Sequence, residues 1–139
     1  MTTPSELKPG IRWWRVIGGG LLIELGLMVI SVAFYALGRM DELTTVVPPL
    51  TLPIAFLAGW WVARPAERPV LNAALAGAIA IPLYLALVVV ALVAAPAEAA
   101  NTSTALSPAY IATHLIKVLG AAAGGWWVAR KRAGPAQAA

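Results

Sequence analysis

The chain has no cysteine and a single histidine. That excludes disulfides, thiol chemistry and iron–sulfur clusters, and it leaves no His/Cys set to hold a metal or a bis-histidine haem. Charge is scarce too. Asp, Glu, Lys and Arg make up 12% of 139 residues, about half the share of an ordinary soluble domain. Of six carboxylates, only Glu24 lies inside an apolar segment. No nucleophile–base–orienter constellation can be assembled from what remains, so the expectation is a non-enzymatic protein with no cofactor and no metal. What the chain has instead is apolar mass: 60% hydrophobic residues and a mean hydropathy of +0.81. Such a chain has too few polar side chains to cover a surface in water.

The net charge of +4 and the pI near 10 would point to nucleic acid in a soluble domain. Here the basic residues flank apolar blocks, where membrane topology accounts for them. The expected partner is a lipid bilayer, not nucleic acid. A hydrocarbon core about 30 Å thick needs roughly 20 apolar residues as helix. Four segments meet that need: 13–38, 47–63, 70–95 and 109–129. The second opens with Pro48 and Pro49, read here as first-turn residues, where a missing N–H costs little. Pro53 lies deeper and is expected to bend the helix. Gly38 suits a left-handed helix end, and Ser107-Pro108 reads as an N-cap followed by the first helical position. Ala36-Leu37-Gly38 looks like a cleavage site, but the preceding apolar stretch exceeds the roughly 7–15 residues of a signal core, so the first segment is read as a retained span. The connections are short. The expected architecture is one all-α domain over 1–139, an integral membrane bundle of four transmembrane helices.

Lys8, Arg12, Arg15, Arg64, Arg68, Arg130, Lys131 and Arg132 flank one side of these spans, and Arg39 alone flanks the other. That bias predicts both termini in the cytoplasm. With the high Ala, Gly and Val content it points to a bacterial inner membrane. All six tryptophans occur as adjacent pairs, Trp13-Trp14, Trp60-Trp61 and Trp126-Trp127, each close to a basic residue of the inner side. They read as interfacial anchors, with the ring in apolar surroundings and the N–H in water. Gly59-Trp60-Trp61-Val62-Ala63-Arg64 recurs as Gly125-Trp126-Trp127-Val128-Ala129-Arg130, 66 residues on. Both copies end an inward-going helix. Two tandem hairpins of equal sense would produce this, as in transporters built from parallel repeats, and so would convergence on one interfacial solution. Ala73/Gly77 and Gly120/Gly124 have the four-residue spacing that lets helix backbones approach closely. They serve packing within the bundle or against another subunit, so a homo-oligomer or a larger membrane complex is expected.

The residues able to carry function are the polar ones at bilayer depth. A charge there costs roughly 2.5–3.5 kcal/mol on insertion scales and normally has a partner or a task. Counting from Trp13, Glu24 lies about 16 Å in; counting from Arg130, Lys117 lies about 19 Å in. His114 is one turn further along, and Tyr84 has similar depth in the third segment. Glu24, Ser31 and Tyr35 share a face of the first helix; Tyr110, Thr113, His114 and Lys117 share a face of the fourth. Three readings of Glu24 and Lys117 stay open. They form a structural ion pair, although each side chain leans toward its own helix N-terminus and a water or His114 would then bridge them. Or they act apart, with Glu24 protonated and Lys117 snorkelling outward. Or Glu24 titrates in a proton or cation site with His114 as relay. Ser31, Asn72, Tyr84 and Tyr110 are candidate pore or substrate-lining residues, although residues such as Asn72 and Tyr84 more often satisfy neighbouring backbone groups than bind a substrate.

Gly19-Gly20-Leu21-Leu22-Ile23-Glu24-Leu25-Gly26 resembles the first helix of the small multidrug resistance transporters, which are also four-helix proteins of near this length. The resemblance implies that Glu24 would exchange protons for cationic drugs within a dimer. It covers about eight of the 139 residues. The third segment lacks that family's tryptophan-and-glycine signature, Lys117 would compete with a cationic substrate for Glu24, and the charge bias fixes one orientation. Gly-Gly pairs, small or aromatic residues and Ala-Arg at helix ends also resemble small uncharacterised four-helix proteins of bacterial inner membranes, and that resemblance is the one preferred. It implies no activity. The expectation is an accessory or interaction subunit, with a minimal proton-coupled transporter or channel using Glu24, His114 and Lys117 as the alternative.

Overall fold

A computed structural model describes residues 10–94 and 108–134, all of it helix and short connections. Four long helices follow in order: α1 (Trp13–Ala36), α2 (Leu43–Ala63), α3 (Pro69–Ala94) and α4 (Pro108–Ala133). A single 3-10 turn, Met40–Glu42, leads into α2. Ser107 lies outside the described residues.

The ends of α1 are set by local chemistry. No side chain of its own caps the start, but the Arg12 N–H donates to Asn72 Oδ1 of α3 at 2.8 Å, and the Arg12 carbonyl accepts from Arg15 and Val16. At the far end Gly38 adopts φ +67°. Its N–H bonds the Tyr35 carbonyl, and the Arg39 N–H bonds the Phe34 carbonyl. This paired closure needs a left-handed residue and explains the glycine. Gly134, at φ +57°, follows α4 in the left-handed region too.

Two boundaries differ from the sequence reading. α2 begins at Leu43, not at 47, so Pro48, Pro49 and Pro53 all lie inside it. The turn at Met40–Glu42 supplies an extra helical lead that hydropathy does not register, and the prolines move from the first turn into the second and beyond. α4 runs on to Ala133 because its last turn, rich in Arg and Lys, matches the negative end of the helix dipole.

Packing inverts the pattern of a soluble protein. Small residues fill much of the interior: Ala55, Ala58, Ala73, Ala76, Ala80 and Ala121 are buried, beside Val16, Ile23 and Val62. Leu21, Val29, Val89, Val93 and Leu119 point outward and are exposed. Small residues inside and large apolar ones outside are what helix association in lipid requires, because lipid already satisfies large apolar side chains. Three helices, over Trp13–Ala36, Thr45–Ala63 and Pro69–Val90, are long and apolar enough to cross a bilayer. α4 has the length, but His114 and Lys117 interrupt it and glycine and alanine dilute it, so its composition falls short of theirs.

α2 and α4 run parallel and pack most closely, and each also packs on α3. A Cβ on Gly59 would collide with the backbone of Ala121, and one on Gly124 with the Phe56 carbonyl and the Trp60 nitrogen. A Cβ on Gly77 would sit 2.6 Å from the Lys117 carbonyl oxygen, and one on Gly20 3.2 Å from that of Ala76. α1 packs on α2 and α3 but scarcely touches α4 through backbone. The glycines thus draw α1 and α4 onto α3 from two sides.

Candidate functional site

Among the described residues the largest fully buried side chain is that of Lys117. Its Nζ donates to Glu24 Oε1 at 2.5 Å, and the two side chains are 2% and 4% exposed. The bond joins α1 to α4, the two helices with the least backbone contact. The lean of each side chain toward its own N-terminus argues for separated heads. The four-carbon lysine stem closes that gap, because Gly20 and Gly77 seat both backbones tightly on α3.

Tyr84 of α3 completes the cluster. The Lys117 ammonium lies 5.1 Å from the centre of its ring, within the range of a cation–π contact. His114 meets the other part of the ring edge-on, with centroids 5.4 Å apart and planes at 70°. His114 is itself buried. One carboxylate, one ammonium, one phenol ring and one imidazole from three helices therefore share one region of the interior. Chemically, the set holds a neutral ion pair with two aromatic rings beside it.

The remaining candidates lie elsewhere. Ser31 Oγ donates to the Leu27 carbonyl of its own helix at 3.0 Å. Asn72 is buried at the other end of α3, where Oδ1 accepts from Arg12 and Nδ2 donates to the Arg68 carbonyl at 3.0 Å and to the Gly10 carbonyl at 3.5 Å. It ties the segment before α1 onto α3. Tyr110 belongs to α4 by backbone. Thr51, which sequence reasoning passed over, is fully buried and bonds the Val47 carbonyl at 2.7 Å. Its position beside Pro48, Pro49 and Pro53, in a helix short of backbone donors, was the available signal. Among the described residues no group of His, Cys, Asp and Glu is placed to hold a metal ion.

The tryptophan pairs gather with the basic residues at one end. Arg64 lies over Trp60 at 3.7 Å and Arg130 over Trp126 at 5.3 Å, so both copies of the repeated hexapeptide make the same i, i+4 stack. Arg15 lies over Trp61 at 4.7 Å and donates to its carbonyl at 2.9 Å; Lys131 lies over Trp127 at 5.2 Å. Trp13, Trp14, Trp126 and Trp127 are exposed, whereas Trp60 and Trp61 are half-buried. Arg132 differs from its neighbours. Its guanidinium reaches the end of α2 and donates to the carbonyls of Ala66 (2.6 Å), Ala63 (3.3 Å) and Arg64.

Comparison of the chain with protein-family models, with curated proteins and with solved structures gives no match.

Proposed function

We propose that this is a non-enzymatic integral membrane protein of four spans, an accessory or interaction subunit of a bacterial inner membrane with both ends in the cytoplasm. The observation that carries the reading is the buried Lys117–Glu24 bond. An unpaired lysine would make α4 a poor span. A lysine neutralised inside the protein removes the main obstacle, and α4 crosses as the fourth helix with its charge turned inward. A pair held this closely is a fastener: it fixes α1 against α4 and leaves the outer faces for lipid or for neighbouring subunits. The end-on grouping of Arg12, Arg15, Arg64, Arg68, Arg130, Lys131 and Arg132 with three tryptophan pairs supports the inward orientation of both termini.

The absence of cysteine makes orientation directly testable. Thr2→Cys and Ala138→Cys, labelled in sealed inside-out and right-side-out vesicles with an impermeant maleimide, should both react from the cytoplasmic face. Reaction from opposite faces would refute four spans. A proton-coupled transporter is the second reading, favoured by the packing of Tyr84 and His114 on the pair. Proteoliposomes separate the two. The subunit reading expects Glu24→Gln and Lys117→Met to change oligomer size or partner retention, with no proton-linked flux at the start. A flux abolished by either change, with assembly intact, would decide for transport.

A further inference from the structure

The consecutive cations at the end of α4 are used differently. Arg132 turns back onto three carbonyls of the α2 terminus. Arg130 and Lys131 instead lie against aromatic faces, those of Trp126 and Trp127. Both are exposed, and no carboxylate or carbonyl of the described residues neutralises them. Together with Trp127 and Gly134 they line an open groove beside the end of the helix. Lys131 stands over the Trp127 ring and Arg130 over the neighbouring Trp126 ring, so the groove offers two cations with a partly exposed indole beside them, a site of mixed chemistry. The cations call for an anion. The indole, 43% exposed, calls for something apolar next to it. An inorganic anion would leave the ring unused, whereas a phospholipid presents a phosphate and the start of an acyl chain in that order.

We propose that the groove formed by Trp127, Arg130, Lys131 and Gly134 binds the headgroup of an anionic phospholipid, with its phosphate between Arg130 and Lys131 and its glycerol and upper acyl chain along Trp127. The inference rests on the reading that α4 spans the bilayer and brings this groove to the headgroup level. The outer end of the bundle offers no such seat among the described residues, because its cation, Arg39, is bonded twice to Glu42. The groove would therefore hold lipid on one leaflet only.

Titrating the detergent-purified full chain with phosphatidylglycerol or with phosphatidylcholine, followed by native mass spectrometry, tests this. Each basic residue near a charged lipid surface contributes about fivefold in binding. Arg130→Gln/Lys131→Gln should weaken phosphatidylglycerol binding by about 25-fold and leave phosphatidylcholine unchanged, and Trp127→Ser should weaken both lipids by a smaller factor. Arg64→Gln/Arg68→Gln, at the same end but outside the groove, should leave the first phosphatidylglycerol bound. An equal loss from that control would show diffuse attraction and overturn the site. Displacement of phosphatidylglycerol by millimolar inorganic phosphate would assign the groove to a free anion and overturn the lipid. Insertion is scored separately, by flotation of wild type and variants with liposomes after a carbonate wash. Failure of wild type to float refutes the spanning reading itself, while intact flotation without lipid selectivity refutes only the groove.

Discussion

Lys117–Glu24 and Arg39–Glu42 have the same nitrogen–oxygen separation, 2.5 Å, and almost nothing else in common. The first joins residues 93 apart in sequence and is sealed inside; the second joins neighbours one turn apart, 56% and 40% exposed. Equal geometry does not mean equal consequence. Inside, no water competes for either charge, and each depends on the other for its solvation. Outside, water and salt solvate both groups whether or not they touch. The distance records that the charges meet, while burial sets the cost of separating them.

The sharpest way to break that contrast is to remove one buried partner. Lys117→Met should destabilise the fold by about 3–5 kcal/mol, because Glu24 is left alone in an apolar interior. Glu24→Leu/Lys117→Met should recover most of that loss or exceed wild type, since a well-packed apolar pair has no charge to desolvate. Unfolding in mixed micelles measures both. Identical midpoints for the single and double variants would show that packing volume, not charge, holds α1 to α4.

Backbone contact comes next. Gly124→Val places atoms on the Phe56 carbonyl and the Trp60 nitrogen, neither of which can swing aside. It should cost about 1–3 kcal/mol. Gly18→Ala, where the added carbon would meet only the Trp61 ring at 3.5 Å, should be close to neutral. Asn72→Leu should cost about 1–3 kcal/mol by stranding the Arg12 N–H and the carbonyls it serves. Its specific sign is faster proteolysis before Trp13, with α2 and α4 still protected.

The exposed pair should give the smallest effect. Arg39→Gln should leave the unfolding midpoint unchanged within error. Its trace is in titration. The hydrogen bond and charge of Arg39 hold the Glu42 carboxyl below its usual range, and the same contact raises Arg39. The folded value of Glu42 is thus depressed, so the contribution of the pair is present at neutral pH and fades as acid protonates Glu42 through that lowered value. In Arg39→Gln the Glu42 midpoint, followed by carboxyl NMR, should move up toward an ordinary glutamate. High salt should do the same to wild type. No movement in either case would mean that the contact is not populated in solution.

The sequence announces its helices more clearly than its contacts. Long apolar runs mark α1 and α3 to within two residues, because hydropathy and the Gly38 terminus act locally. The start of α2 is less legible: Asp41 and Glu42 are charged, and a charged turn that continues into a helix looks like a loop. Glu24 and Lys117 stand out by charge alone. That they meet could not be read from spacing, because it depends on Gly20 and Gly77 each bringing a different helix onto α3. Asn72 illustrates the converse. Read as a partner for neighbouring backbone before a lining residue, it makes three bonds that all end on backbone at the edge of the bundle.

Arg132 carries a consequence for how the chain is made. The carbonyls of Ala63, Arg64 and Ala66 take their side-chain partner from a residue synthesised some 66 residues later. The first hairpin must therefore wait in an unfinished form until the closing turn of α4 arrives. A chain truncated before Arg132 lacks that closing contact, and its α2 terminus should be cut faster by protease than that of the full chain.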